Sequence, residues 1–573
     1  MASQDINLVY VQDSRIKDIT PELTYGVEGG AASNTYQNFT AVSTSKSNIV
    51  WNVQVPSESI IVSREILVRS TIDFTVNITN VPVGKTAFNY GVSEALQAFP
   101  FNALCSTLSA QINNTNVSVN LQDVMPSLLR MNDSRHLYRY NGMTPNLPDQ
   151  AYKLYSDGVL ANNNPLGGYN NASYDVDQLP RGAYPVTKIG NVVHNISGGG
   201  SDQSIVSTNT ADSWVIELQV TVTEPLFLSP FIFGDSPFNK QGFVGLNALN
   251  VVANIDTTCK RFFSTANSGY TFSVSLGNSN NQDGFSKDTA LLMNFLSSQD
   301  TDLIQAKNVV PYHDFNRYLT STSTSVNAGS STSIISQNIQ LNQLPDLFLI
   351  TARKPMNSQT FSDSNSFLPI SKISVNLNNV SGLLSSAQRQ DLWRISINNG
   401  STQNWEEFSG YAYRPNVSSG VGQNVPTTGS LLVLNPARDL SLPSYLSCGS
   451  IGQFNFQISV DVQNNHPTDS VTPELCIICV NSGIFTTVAG TSSIYTGVLS
   501  KQMVLDAKAQ PAEYSISSSE YYRQTGGALL PKSAMKEVVK LTLDEMGDGK
   551  KGGAKSAGAF SAAGMNKMDS LVV

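Results

Sequence analysis

The stretch Ile66–Thr79, ILVRSTIDFTVNIT, decides how this chain folds. Ile66, Val68, Ser70, Ile72, Phe74, Val76 and Ile78 alternate with Leu67, Arg69, Thr71, Asp73, Thr75, Asn77 and Thr79. A period of two puts one set on each face of an extended strand, so one face is apolar and the other mostly polar. A half-buried strand requires that pattern. Trp214, Ile216, Leu218, Val220 and Val222 repeat it, as do Phe454, Phe456, Ile458, Val460 and Val462. Turn-rich stretches separate the runs: Asn162–Asn171, Ser197–Ser204, Gly277–Gly284 and Asn416–Thr428. Many strands joined by long polar loops predict sandwiches or barrels.

Helical signals are few. Ser93–Gln97 and Ala387–Leu392 are each expected to form a turn or two. The strongest helix is Lys532–Met546, with Pro531 at its first turn and Gly547 as its stop. Met535, Val538, Thr542 and Met546 share one face of it, a stripe that needs a neighbouring subunit, a minor protein or a membrane to cover it. Beyond it, Lys, Gly, Ala and Ser predominate to Asn566, a flexible composition. The expected organisation is an N-terminal arm (1–45), two β-rich halves (46–285 and 286–510) and a C-terminal extension (511–573).

A chain of 573 residues exceeds one ordinary core, and its 40 % hydrophobic content fills more than one. Charged residues are only 14 %, below the roughly 25 % of an average globular protein, so Asn, Ser, Thr and Gln must solvate the surface. Neutral polar surfaces suit molecules that pack beside copies of themselves. The net charge of -8 argues against a nucleic-acid-binding body. From Pro531 onward, however, seven lysines face five acids, leaving the tail at +2 and the remainder at -10. Met1–Thr20 lacks an apolar signal core, and the longest apolar runs, Leu347–Ala352 and Leu475–Val480, fall short of a membrane span. These features predict a soluble protein that is not secreted.

The series of segments after these strands resembles the major capsid proteins of virophages and polinton-like viruses. Ala41–Val55 (AVSTSKSNIVWNVQV), the strand behind Arg64 and Phe99–Arg130 resemble the family's first barrel. Leu344–Pro355 (LPDLFLITARKP), Ile370–Ser386, Asp391–Asn399, Trp405–Gly410 (WEEFSG) and Leu431–Leu442 are similar, in order and spacing, to its second. The resemblance implies an all-β double jelly roll: two consecutive eight-stranded barrels with short helices in loops. It also implies a homotrimeric capsomer, pseudo-hexameric in outline, that tiles the icosahedral shell of a double-stranded DNA virus. Neighbouring capsomers, penton proteins and minor capsid proteins are the implied partners. The implied location is the virion, after synthesis in host cytoplasm or nucleus.

Enzymatic constellations are not found, and no cofactor is expected. His136, His194, His313 and His466 show no metal-ligand spacing. His313-Asp314 has no G-x-S-x-G nucleophile to serve and is expected to be structural. Glu406 and Glu407, expected in a strand, would diverge instead of facing each other as glycosidase carboxylates do. Cys476 and Cys479 form a C-x-x-C inside an apolar strand, where residues three apart point to opposite faces, so buried thiols are expected instead of a zinc site. A trimeric receptor-binding fibre or adhesin shares the polar β-composition but lacks the repetitive shaft, and a carbohydrate-active enzyme lacks its site. In the tail, Lys550, Lys551, Lys555 and Lys567 form a cationic run without an acid until Asp569. They are expected on the inner surface, near packaged DNA or an inner membrane. Gly552-Gly553-Ala554 resembles double-glycine sites of adenovirus-like maturation proteases, although Lys550-Lys551 departs from the apolar residue such enzymes prefer.

Overall fold

Leu67–Thr79 is the centre of an eight-stranded sheet. It pairs antiparallel with Ser213–Pro225 along its whole length, Thr79 opposite Ser213 and Leu67 opposite Pro225. Its other edge pairs with Thr271–Leu276 and Ala290–Ser298. In this computed structural model the described residues are 7–11, 25–29, 32–132, 186–188, 193–194, 205–206, 213–231, 242–298, 307–415, 422–442, 447–488 and 490–497, less short breaks at 85, 89, 91–93, 266–269, 362, 364, 366 and 466–468. Ala290–Ser298, which follows the division expected near residue 285, belongs by its pairing to the first half's sheet.

The alternation read from the sequence sets the packing. Val68, Ile72, Phe74, Val76 and Ile78 are buried, and so are Trp214, Ile216, Leu218, Val220 and Val222 in the paired strand. They meet a five-stranded sheet in which Cys105–Ile112, Ala248–Ile255 and Asn48–Gln54 lie side by side. Phe74 packs edge-on against Phe262, ring centroids 5.0 Å apart. Asp73 is the exception on the polar face, because it is buried. Its carboxylate accepts from the side-chain amides of Gln219, Asn278 and Asn281 at 2.8–2.9 Å, which satisfies it without a cation.

The second half has two further five-stranded sheets. One centres on Glu474–Val488, between Lys307–Ser321 and Leu347–Arg353. The other centres on Ile451–Gln463, which pairs with Ile370–Leu377 and Ser331–Ile335. Phe348 and Phe456 stack between them, centroids 4.2 Å apart.

Three local expectations are corrected. Within Ser93–Gln97, Glu94–Leu96 is not a helical turn but a strand paired with Phe263–Thr265, and the nearby helix is Pro100–Leu104. A single turn cannot nucleate alone, so strand pairing decides the conformation. The helix expected at Ala387–Leu392 runs Arg389–Asn398, started by reciprocal hydrogen bonds between Gln388 and Asp391. Within Asn416–Thr428, Gly422–Pro426 is a strand that makes a hairpin with Tyr411–Pro415.

Glu224, on the last turn-ward end of Ser213–Pro225, is fully buried beneath Pro100–Leu104. Its carboxylate accepts the N–H groups of Phe101 and Asn102, each at 3.0 Å, and the Asn102 side chain at 2.8 Å. Burial pushes its carboxyl up to about 7 despite these bonds. A raised carboxyl favours folding while protonated, and that contribution is lost as pH rises from the ordinary carboxylate range through about 7. The melting temperature should therefore decline less between pH 5 and pH 8 in Glu224→Gln than in the parent, as calorimetry at both pH values can show. For the core itself, Phe74→Ala should cost about 3–5 kcal/mol. Thr75→Ala, which loses one hydroxyl bond to the Gly277 carbonyl (2.7 Å), should cost about 0.5–1.5 kcal/mol by denaturant titration.

Candidate functional site

Leu347–Arg353 is buried at all seven positions, and Glu474–Val480 at every position as well. Neither strand has a polar face, because each side of the sheet they share looks into a different core. Leu347, Leu349, Val433, Cys476, Ile478 and Val480 pack into the first half's cluster. Phe348, Ile350, Leu432, Leu475, Ile477 and Cys479 pack into the second half's own. Register makes the division exact along the ladder, with Leu349 opposite Ile478 and Ile350 opposite Ile477. The sheet is a party wall between the halves. Cys476 and Cys479 do lie on opposite faces, and burial pushes the Cys476 thiol up to about 11 and the Cys479 thiol higher still.

Charges cluster at one end of the wall. Asp123, on the first half's helix Leu121–Leu128, accepts from Arg353 and Arg317 of the second half. Arg353 also donates to Glu474 at 3.2 Å. Burial would push the Asp123 carboxyl up, but the charge and hydrogen bond of Arg353, with Arg317 and Arg261 behind, hold it below the usual carboxylate range. Beside them, the Arg130 guanidinium stacks 4.6 Å from the Phe367 ring centroid and donates to the Pro126 and Asn365 carbonyls at 2.7 Å. At the other end, Thr115 donates to the Ser492 carbonyl (2.8 Å), Ser492 donates to the Ile112 carbonyl (2.5 Å), and Phe243 meets Phe485 edge-on. Sequence reading missed this cluster. Its one local signal was a charge within an apolar run, Asp123 in LQDVMPSLLR and Arg353 in LFLITARKP.

These charges are spent on one another, so the cluster fastens two bodies together and does no chemistry. His313 is buried in the same seam: its backbone N–H donates to Ser229 Oγ at 2.8 Å, and its Nδ1 lies 3.2 Å from Ser482 Oγ. Asp314, the next residue of the strand, is directed to the opposite face and accepts from Asn316, so it does not orient the ring. Glu406 and Glu407 are on the helix Trp405–Ser409, not on a strand. The reason is a capping box: Asn404 Oδ1 accepts the Glu407 N–H (2.8 Å), and the Glu407 carboxylate accepts the Asn404 N–H (3.2 Å). Among the described residues, no group of three or more His, Cys, Asp and Glu is placed to hold a metal. His194 lies on the strand Val193–His194, while His136 and His466 fall outside the described residues. Lys550, Lys551, Lys555 and Lys567 fall outside them too, so the structure does not bring that run to any site.

Two halves locked across a common sheet match a known pair of domains. The family profile of the Sputnik virophage major capsid protein first domain matches residues 4–296. The chain belongs to the virophage major capsid protein family. The profile of the major capsid protein V20 C-terminal domain matches residues 315–483. Across 535 residues the capsid protein is 27 % identical to the putative capsid protein V20 of Sputnik virophage, covering 91 % of this chain and 84 % of that one. Its fold is similar to a chain of the Sputnik virophage structure determined by cryo-EM (TM-score 0.73, 23 % identity, 91 % of this chain and 99 % of that chain). It is also similar to the mavirus major capsid protein (TM-score 0.65, 13 % identity, 88 % and 99 %). The capsid protein is thus a structural component of a virion, and not an enzyme.

Removing Asp123 leaves the buried Arg353 with Glu474 as its remaining counter-charge and takes the partner from the half-exposed Arg317. Asp123→Ala should cost the capsid protein about 3–5 kcal/mol. Lys372→Ala, on an exposed position of the second half, should change stability by no more than about 0.5 kcal/mol in the same unfolding measurement.

Proposed function

We propose that three copies of this capsid protein form a pseudo-hexameric capsomer, and that capsomers tile the icosahedral shell of a double-stranded DNA virus. Within it each copy supplies two jelly-roll units. The party wall is the observation that carries this reading. A shell subunit must keep its two lobes at a fixed spacing, because an error of a few ångströms repeated at every contact prevents closure. Paired strands buried on both faces, pinned by Asp123, Arg317 and Arg353, supply that rigidity. The low charge density favours the close approach of copies. In the same reading the C-terminal extension (511–573) lies on the inner surface, where Lys550, Lys551, Lys555 and Lys567 neutralise DNA phosphates or meet an inner membrane in a salt-dependent way. Penton and minor capsid proteins complete the shell, and the chain is made in the host cytoplasm or nucleus.

Light scattering of the purified full chain should give the mass of a trimer, and electron microscopy should show closed shells. A stable monomer at micromolar concentration, with no larger assembly, overturns the capsomer. Deleting residues 531–573 should leave the melting temperature nearly unchanged and impair shell formation; unimpaired assembly removes the tail's role.

A further inference from the structure

Antiparallel strands Lys307–Ser321, Glu474–Val488 and Thr491–Thr496 lie side by side at one end of the second half. Ile484 stands opposite both Pro311 and Tyr495, and Thr486 opposite both Val309 and Ser493. Residues paired in this way share a face. The same face therefore carries Val309, Pro311, Ile484, Val488 and Tyr495. The opposite face carries Val310, Phe485 and Ile494, which pack against the first half. Having one face covered, this end of the sheet should turn polar groups outward. It does so only in part: Thr491 and Ser493 are exposed there, but Val309 is 41 % exposed, Ile484 38 %, Val488 38 % and Tyr495 53 %, around a buried Thr486. Ile451, 55 % exposed, adjoins the same region through Gly497. Several large apolar groups exposed so near one another mark a surface that is covered in use.

The chain itself indicates what covers it. The described residues end at Gly497, one position beyond the strand that carries Tyr495, and 76 residues follow. Within them, outside the described residues, is Lys532–Met546, the segment expected from the sequence to form a helix whose apolar stripe, Met535, Val538, Thr542 and Met546, needs a neighbour to cover it. In such a helix Met535 and Met546 are eleven rises apart, about 17 Å. Ile484 and Val488 lie about 13 Å apart along the strand, on either side of the buried Thr486, with Tyr495 and Val309 beside them on the flanking strands. Thirty-four residues, 498–531, are ample to span that distance. Tethering a segment to its own docking face gives millimolar effective concentration, which outcompetes the same segment on another molecule at micromolar concentration.

We propose that the sheet face formed by Val309, Ile484, Val488 and Tyr495 is the docking site of the chain's own Lys532–Met546 helix. Docking there fixes where the lysines that follow, Lys550 to Lys567, leave the subunit. Capsomer formation is not needed for this contact, so the two readings fail separately.

The test uses the full-length protein carrying Tyr495→Cys with Val538→Cys. Mild oxidation should give a disulfide within one chain, identified by peptide mapping on a non-reducing gel band of monomer mass. Hydrogen exchange over Glu474–Val488 and Thr491–Thr496 should be slower in the full chain than in a chain ending at residue 530. Ile484→Asp, on an exposed position that leaves the core intact, should abolish both the cross-link and the protection. Absence of the cross-link together with equal exchange in the two chains overturns the proposal. A disulfide only between chains also overturns it, because the occupant is then a second copy's tail. If Ile484→Asp dissolves the trimer while exchange ignores the tail, the face is a contact between subunit bodies and the proposal is likewise wrong. An intrachain cross-link in a protein that scatters as a monomer upholds the docking and counts against the capsomer alone.

Discussion

A pair of strands with no solvent face governs the rest of this molecule. Leu347–Arg353 and Glu474–Val480 bury alternate residues in two different cores, so neither half has a complete interior without the other. Their continuous apolar sequence follows from that position, as it does for parallel strands covered on both sides. Strands that cover only one core, such as Leu67–Thr79 and Ile451–Gln463, keep the two-residue alternation. The difference between those two sequence patterns is therefore a map of where the wall runs.

Electrostatics restricts how the halves meet at the wall. Apolar contact alone tolerates sliding, since any flat oily surface satisfies another. A buried carboxylate between two guanidiniums does not, because displacement leaves desolvated charge without compensation. Asp123, Arg317, Arg353 and Glu474 thus add little net stability compared with a well-packed apolar substitute, and they select one register of first half on second. Arg130, reaching Phe367 and Asn365 across the same seam, adds a second fixed point.

Much of this was legible in the residues. Period-two runs located the sheets, and Cys476 with Cys479 forecast the two faces of the wall three residues apart. The resemblance in segments such as LPDLFLITARKP pointed to the family. Ser93–Gln97 was misread because a turn's worth of helix former has no stability of its own, and pairing with Phe263–Thr265 decided it. WEEFSG was misread as strand because the cue lies one residue upstream, in Asn404, whose side chain starts a helix. The seam cluster was invisible for a different reason: Asp123 and Arg353 are 230 positions apart and meet only through topology. The lysine run was visible as composition, which carries no address in the fold.

The party wall also bears on how such proteins trade parts. Residues 297–314 separate the segments matched by the two family profiles, and a crossover between related genes in that interval would exchange whole halves. The exchanged pieces would not be independent modules. A foreign first half would have to fit Leu349, Ile478 and Val480, residues encoded on the other side of the breakpoint. It would also have to present an acid where Asp123 stands. Inheritance of the two halves as a unit is therefore imposed by the packing of one sheet, and chimaeras survive only between parents whose walls are alike.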